Sequence, residues 1–249
     1  MSFGGRVRFL TILALVATVC SAARAVTPEQ LFAADASGMV QITAHCANGV
    51  QHGSGFLLGP RVVMTARHVL VDARGRPCSA MVVQQGTGRA ARVSRWMAIA
   101  VKPSNAPADL AIATLDTPLT GHDFSISAAS PTVGQLVVAL GYALEQPLSL
   151  NQGHVISRPT APGVRLLEMS LLEAGGASGG PILNASGRVI GITQFGGLGG
   201  LTESVDLAHL DDGAAAQLCF GFIAAQRSTL CSSGHPKPGS TVLGWGGSV

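Results

Sequence analysis

The chain has 249 residues, 47% hydrophobic, 12% charged and 4% aromatic, so it can bury a sizeable core built from Ala, Val, Leu and Ile and is not a disordered chain. Its formal net charge of +3 comes entirely from Arg6, Arg8 and Arg24; removing them leaves 13 basic residues against 13 acidic ones. That balance excludes a basic nucleic-acid-binding surface, and the chain carries no pattern that calls for a metal or an organic cofactor.

At the start of the chain, Met1–Arg8 holds two arginines and no acid, and Phe9–Cys20 is an apolar run too short to span a bilayer comfortably. Ala23-Arg24-Ala25 fits an A-x-A cleavage site. Together these predict a secretory signal peptide over residues 1–25, removed after Ala25, and a periplasmic or secreted product without stable membrane insertion. The oligomeric state is left open by the sequence.

Thr27-Pro28-Glu29-Gln30 predicts a helix start, with Thr as cap and Pro in the first turn. From about residue 36 the chain breaks into short apolar runs punctuated by Gly, Pro, Asn and Asp. Met39–Ala44, Ser54–Leu58 and Arg61–Thr65 read as strands, the last two around a Gly59-Pro60 turn. Ala66–Val71 reads as one helical turn. Further strand candidates are Ala80–Val83, Leu110–Ala113, Leu136–Leu140, His154–Ser157, Val164–Met169 and Val189–Thr193, with a weak helix at Ala214–Ala225. Many short strands with frequent turn signals predict an all-β barrel or sandwich with few short helices. The segment after about residue 232 is rich in turn residues.

Without Cys20, four cysteines remain: Cys46, Cys78, Cys219 and Cys231. An even count in an exported chain predicts two disulfides. Three pairings can be drawn; Cys46–Cys78 with Cys219–Cys231 joins neighbours and closes the short loops. No CxxC occurs, which argues against a zinc or redox site.

Gly176-Ala177-Ser178-Gly179-Gly180-Pro181 sets one serine among small residues ahead of an apolar run. A serine is a poor nucleophile at its own pKa and needs a general base and an anion site. Upstream, Thr65-Ala66-Arg67-His68-Val69 places a histidine just after a strand, and Asp109-Leu110-Ala111-Ile112 opens a buried strand with an acid that needs a partner. An imidazole is the natural base near neutral pH, and a carboxylate on its N–H fixes the productive tautomer. Asp116, beside Thr117-Pro118, reads as a turn residue. His45, His52, His122, His154, His209 and His235 read as structural or exposed. Asn184-Ala185-Ser186 is formally a glycosylation sequon and carries little weight.

These motifs, with Gly53-Ser54-Gly55-Phe56, together resemble the trypsin-like, chymotrypsin-fold serine proteases, and among them the short bacterial members related to HtrA without a PDZ domain. The resemblance runs from about residue 38 to 200. It implies two packed six-stranded antiparallel β-barrels, a protease domain over 36–214 after an N-terminal segment 26–35, a crossover near 115–130, and an extension over 215–249. It implies a serine endopeptidase acting on protein or peptide substrates through His68, Asp109 and Ser178, with the N–H groups of Gly176 and Ser178 holding the oxyanion. By position, Leu172 would form the base of the specificity pocket and Gln194, Phe195 and Gly196 one wall, which favours an apolar or small residue at P1; Glu173 keeps a basic preference open. Ala177 stands where digestive members carry an acid that pairs with a freed N-terminus, so no N-terminal activation step beyond leader removal is expected. Two other readings are a catalytically silent protease-fold module that binds a peptide or surface partner, and an acyl hydrolase. The latter is disfavoured by the His-Asp-Ser order and by the lack of a strand–elbow–helix around the serine.

Overall fold

In a computed structural model, residues 26–85, 89–99, 109–161, 164–172, 174–196 and 200–210 are described. Among the described residues there is one α-helix, α1 (Pro28–Asp35), and it begins where the sequence places it. Thr27 accepts from the Gln30 N–H, and the Gln30 side chain accepts from the Thr27 N–H, so two otherwise orphaned donors are satisfied reciprocally.

Six strands follow: β1 (Met39–Cys46), β2 (Gly49–Gly59), β3 (Val62–Thr65), β4 (Ala80–Gln85), β5 (Arg89–Ile99) and β6 (Leu110–Leu115). They close into a barrel in the order β1-β2-β3-β6-β5-β4, with β4 returning to β1. Closure leaves no exposed edge. The hairpin β1–β2 pairs from Cys46 opposite Gly49, so β2 starts five residues before the predicted strand, and the Gly53-Ser54-Gly55 motif lies inside it. The run Arg89-Ala90-Ala91-Arg92 carries no strand alternation. β5 exists because β4 and β6 offer it two ladders. Ala66–Val71 shortens to a single 3-10 turn at Arg67–Val69.

The second unit uses β7 (Leu136–Gly141), β8 (Ser149–Ser157), β9 (Thr160–Ala161), β10 (Val164–Met169), β11 (Pro181–Leu183), β12 (Val189–Ile192), β13 (Phe195–Gly196) and β14 (Thr202–Val205). Its six principal strands run β12-β11-β7-β8-β10-β14; the two-residue strands β13 and β9 pair with β14 and β10. This is the all-β, two-barrel class that the sequence predicts.

The uninterrupted apolar run in β7 has a direct structural reason. Side chains alternate across a strand. Val137 and Ala139 enter a core with Val155, Leu167, Met169, Ile182 and Ile190. Val138 and Leu140 enter the larger core shared with the first barrel, including Phe56, Met64, Leu110 and Val189. A strand buried on both faces has no solvent side on which to place polar residues. The crossover adds Leu119, Phe124 and Ile126 to the larger core, and Phe124 meets Phe56 edge-on at 5.2 Å between ring centres.

Cys46 and Cys78 are bonded, tying the end of β1 to the loop that follows the Arg67–Val69 turn. Cys219, Cys231, the Ala214–Ala225 helix candidate and the leader lie outside the described residues.

Candidate active site

β3 and β6 pair with Thr65 opposite Ala111. Their continuations therefore meet: the turn carrying His68 leaves β3 next to Asp109, the residue that precedes β6. The two make a double contact. The His68 N–H donates to Asp109 Oδ1 at 2.8 Å, and His68 Nδ1 lies 2.5 Å from Asp109 Oδ2. A carboxylate oxygen accepts, so this contact suits the His68 tautomer with its proton on Nδ1. Both side chains are about one-third exposed, at 33% and 29%, so the pair is shielded yet reachable.

Ser178 comes from the second unit, in the loop ahead of β11. Two positive-φ glycines shape that loop, Gly176 at 92° and Gly179 at 88°. A Cβ on Gly179 would lie 2.2 Å from Thr65 Oγ1 and 2.3 Å from the Ser54 carbonyl oxygen, so only glycine lets the loop approach the His68 turn this closely. Ala177 is buried against Gly141, which explains a small apolar residue at this position in packing terms.

Gln194 joins the two halves of the site. Its carbonyl accepts from the Ser178 hydroxyl at 3.3 Å, and its amide donates to the Asp109 carbonyl at 3.3 Å. The sequence assigns Gln194 to a pocket wall; the structure also makes it a link between Ser178 and Asp109. Among the described residues, neither the Gly176 N–H nor the Ser178 N–H donates to any acceptor, so both expected oxyanion donors are available.

The pocket residues are more dispersed. Leu172 is 77% exposed, and its carbonyl accepts from the Asn151 side chain. Its side chain faces solvent near Gly200 and does not form a buried floor. Phe195 and Gly196 pair with Glu203 and Thr202. Glu173 lies outside the described residues. Asp116 accepts from the Arg92 N–H, away from the site, and Asn184 closes the β11–β12 turn by accepting from the N–H groups of Ser186 and Arg188. His122 and His209 pair with Asp35 and Asp206, and His52 lies 3.7 Å from Glu145. Ser54, Thr65 and Tyr142 surround the Ser178 loop, and no role was read for them in the sequence; Gly53-Ser54-Gly55 was the signal that held one of them.

A family model described as "Trypsin-like peptidase domain" matches residues 53–192. No curated protein sequence matches the chain. Among solved structures, the active form of the Rv3671c protease from M. tuberculosis superposes with a TM-score of 0.62 at 20% identity, covering 92% of this chain and 97% of that one. Its inactive form gives 0.61 at 20% identity, over 78% and 95%. The serine endoprotease from Yersinia pestis gives 0.58 at 18% identity, over 83% and 67%. At these identities the superpositions speak to the fold.

Proposed function

On the premise that this chain belongs to the trypsin-like peptidase family and is a serine endopeptidase, we propose that His68, Asp109 and Ser178 form its catalytic triad. The observation that supports this most is the two-point hold of Asp109 on His68. In this reading His68 Nε2 takes the Ser178 proton as the hydroxyl attacks the scissile carbonyl. Asp109 stabilises the imidazolium. The Gly176 and Ser178 N–H groups receive the charge that develops on the carbonyl oxygen. His68 then protonates the leaving amine, and water, activated by the same imidazole, releases the acyl group from Ser178. The substrates are proteins or peptides; an apolar or small P1 residue is the preference that the sequence position of Leu172 suggests, and the exposed Leu172 side chain adds no structural support to it.

Export to a periplasm or beyond the cell belongs to the same proposal. The leader-like residues 1–25 support it, as does the Cys46–Cys78 disulfide, a bond that persists in oxidising compartments.

Cleavage-site profiling on a peptide library, with Ser178→Ala as control, tests the reading. Ser178→Ala is expected to lower kcat by about 10⁶-fold, and a fluorophosphonate probe is expected to label Ser178 in the unchanged protein. Full activity in Ser178→Ala would sink the triad. Absence of both labelling and cleavage would make the chain a silent binding module.

A further inference from the structure

Ser54 lies in β2 of the first barrel and is fully buried at 0% exposure. Each of its polar groups is engaged, three of the four contacts reaching the second unit. Its N–H donates to the Ser178 carbonyl at 2.8 Å. Its carbonyl accepts from the Thr65 hydroxyl at 2.7 Å, three residues before His68. Its hydroxyl accepts from the Tyr142 N–H at 2.8 Å and lies 2.7 Å from the Gly176 carbonyl. A hydroxyl has one proton, and a backbone N–H can only donate. The Ser54 proton therefore points at Gly176.

We propose that Ser54 is a positioning residue for the nucleophile loop, holding the Gly176–Ala177 and Ser178–Gly179 peptide units that flank the unit bearing the Ser178 N–H, so that the Gly176 and Ser178 N–H groups stay turned toward the developing oxyanion. This rests on the proposed triad and anion site. The physical argument is planarity: fixing a carbonyl fixes its whole peptide unit. Ser54 fixes the Gly176–Ala177 unit through its hydroxyl and the Ser178–Gly179 unit through its N–H. The units that carry the Gly176 and Ser178 N–H groups alternate with these and are held from within the second unit, the Gly175 carbonyl by the Leu144 N–H at 2.6 Å and the Ala177 carbonyl by the Gly180 N–H at 3.0 Å, so the Ser54 holds set the units that join and follow the two donors. All four carbonyls from Gly175 to Ser178 are thus occupied, while the two amides that would serve catalysis are not. Among these four holds, the Ser54 hydroxyl is the one supplied by a side chain. It acts where Ala177 offers no charge to pin the loop.

Ser54→Ala removes the hydroxyl and keeps the backbone contacts. With a peptide from the library profile, kcat per folded molecule is expected to fall about 10- to 100-fold. KM should stay within about threefold, because the substrate's ground-state contacts are untouched. Fluorophosphonate labelling of Ser178 should slow in parallel, and a peptide boronate, which mimics the tetrahedral adduct, should bind correspondingly less well. A structural role alone would lower the folded fraction and leave kcat per folded molecule unchanged. That result, or a loss confined to KM, would overturn the proposal. Should Ser54→Ala fail to fold, Ser54→Cys keeps the size with a weaker donor: reduced kcat supports the proposal and a wild-type rate overturns it. No labelling of the unchanged protein would overturn the proposed function and this inference together. Equal labelling of the unchanged protein and the variant would overturn the inference alone.

Discussion

At the scale of single residues, the site depends on atoms whose partners leave them one role. The Asp109 carboxylate accepts, which suits the His68 tautomer with its proton on Nδ1, and its second oxygen holds the His68 backbone. Asp109→Asn would offer Nδ1 a donor where it needs an acceptor. Under the proposed triad, kcat should drop about 10⁴-fold while the fold persists, measured as kcat and circular dichroism on the same sample; a loss below tenfold would argue that Asp109 does not orient the base. His68, Asp109 and Ser178, the residues of the proposed triad, could be singled out in the sequence because each sits beside a strand-like run or a glycine cluster. Ser54 and Gln194 were not legible in these roles. A serine in a strand and a glutamine after one are ordinary residues, and their roles depend on partners 122 and 85 positions away.

At the scale of elements, local chemistry predicts well where one element satisfies its own needs. The start of α1 is an example, since Thr27, Pro28 and Gln30 complete the cap without outside help. Thr27→Ala is expected to destabilise the protein by about 1 kcal/mol, read as a shifted urea midpoint with an unchanged slope. A midpoint equal to wild type would show that α1 is held by packing alone. Strands follow a different rule. β3 and β6 were visible as apolar runs because both are almost wholly buried. β5 was hidden because its existence is settled by barrel closure between β4 and β6, and the start of β2 because hairpin pairing extends it back to Gly49.

At the scale of the whole molecule, the segment before β1 is pinned to the crossover between the two barrels. Asp35 is 3% exposed, faces His122 at 3.3 Å, and has one carboxylate oxygen without a partner among the described residues. Burial raises its pKa above the ordinary carboxylate value, and the facing His122 charge partly opposes this. The folded state therefore keeps a proton that the unfolded chain has released. Asp35's contribution to stability is complete below the ordinary carboxylate value of 3.8 and is lost as pH rises through the raised folded value. In Asp35→Asn that loss disappears, so over the range above the ordinary carboxylate value of 3.8, up through the raised folded value, the variant should gain stability relative to wild type as pH rises. Urea unfolding across that range checks it, and parallel curves would contradict it. Asp72 behaves in the opposite sense: hydrogen bonds from the Arg76 N–H and side chain and the Arg74 N–H hold its pKa down, so its contribution is lost only as pH falls through that lowered value.

The sequence by itself determined the strand-rich class and the capped helix, and it singled out the three side chains proposed for acyl transfer. Those properties follow from hydrophobic period, turn residues and functional-group type, which act over a few residues at a time. Only the tertiary structure decided how the barrels dock and what each barrel lends the other: Thr65 and Ser54 against Gly179, Ser54 against Gly176 and Ser178, Gln194 against Asp109. The reason is physical. These are contacts between polar groups on separate barrels, and their partners are chosen by the shared core around Phe56, Met64, Val138 and Leu140, not by any preference of the residues themselves.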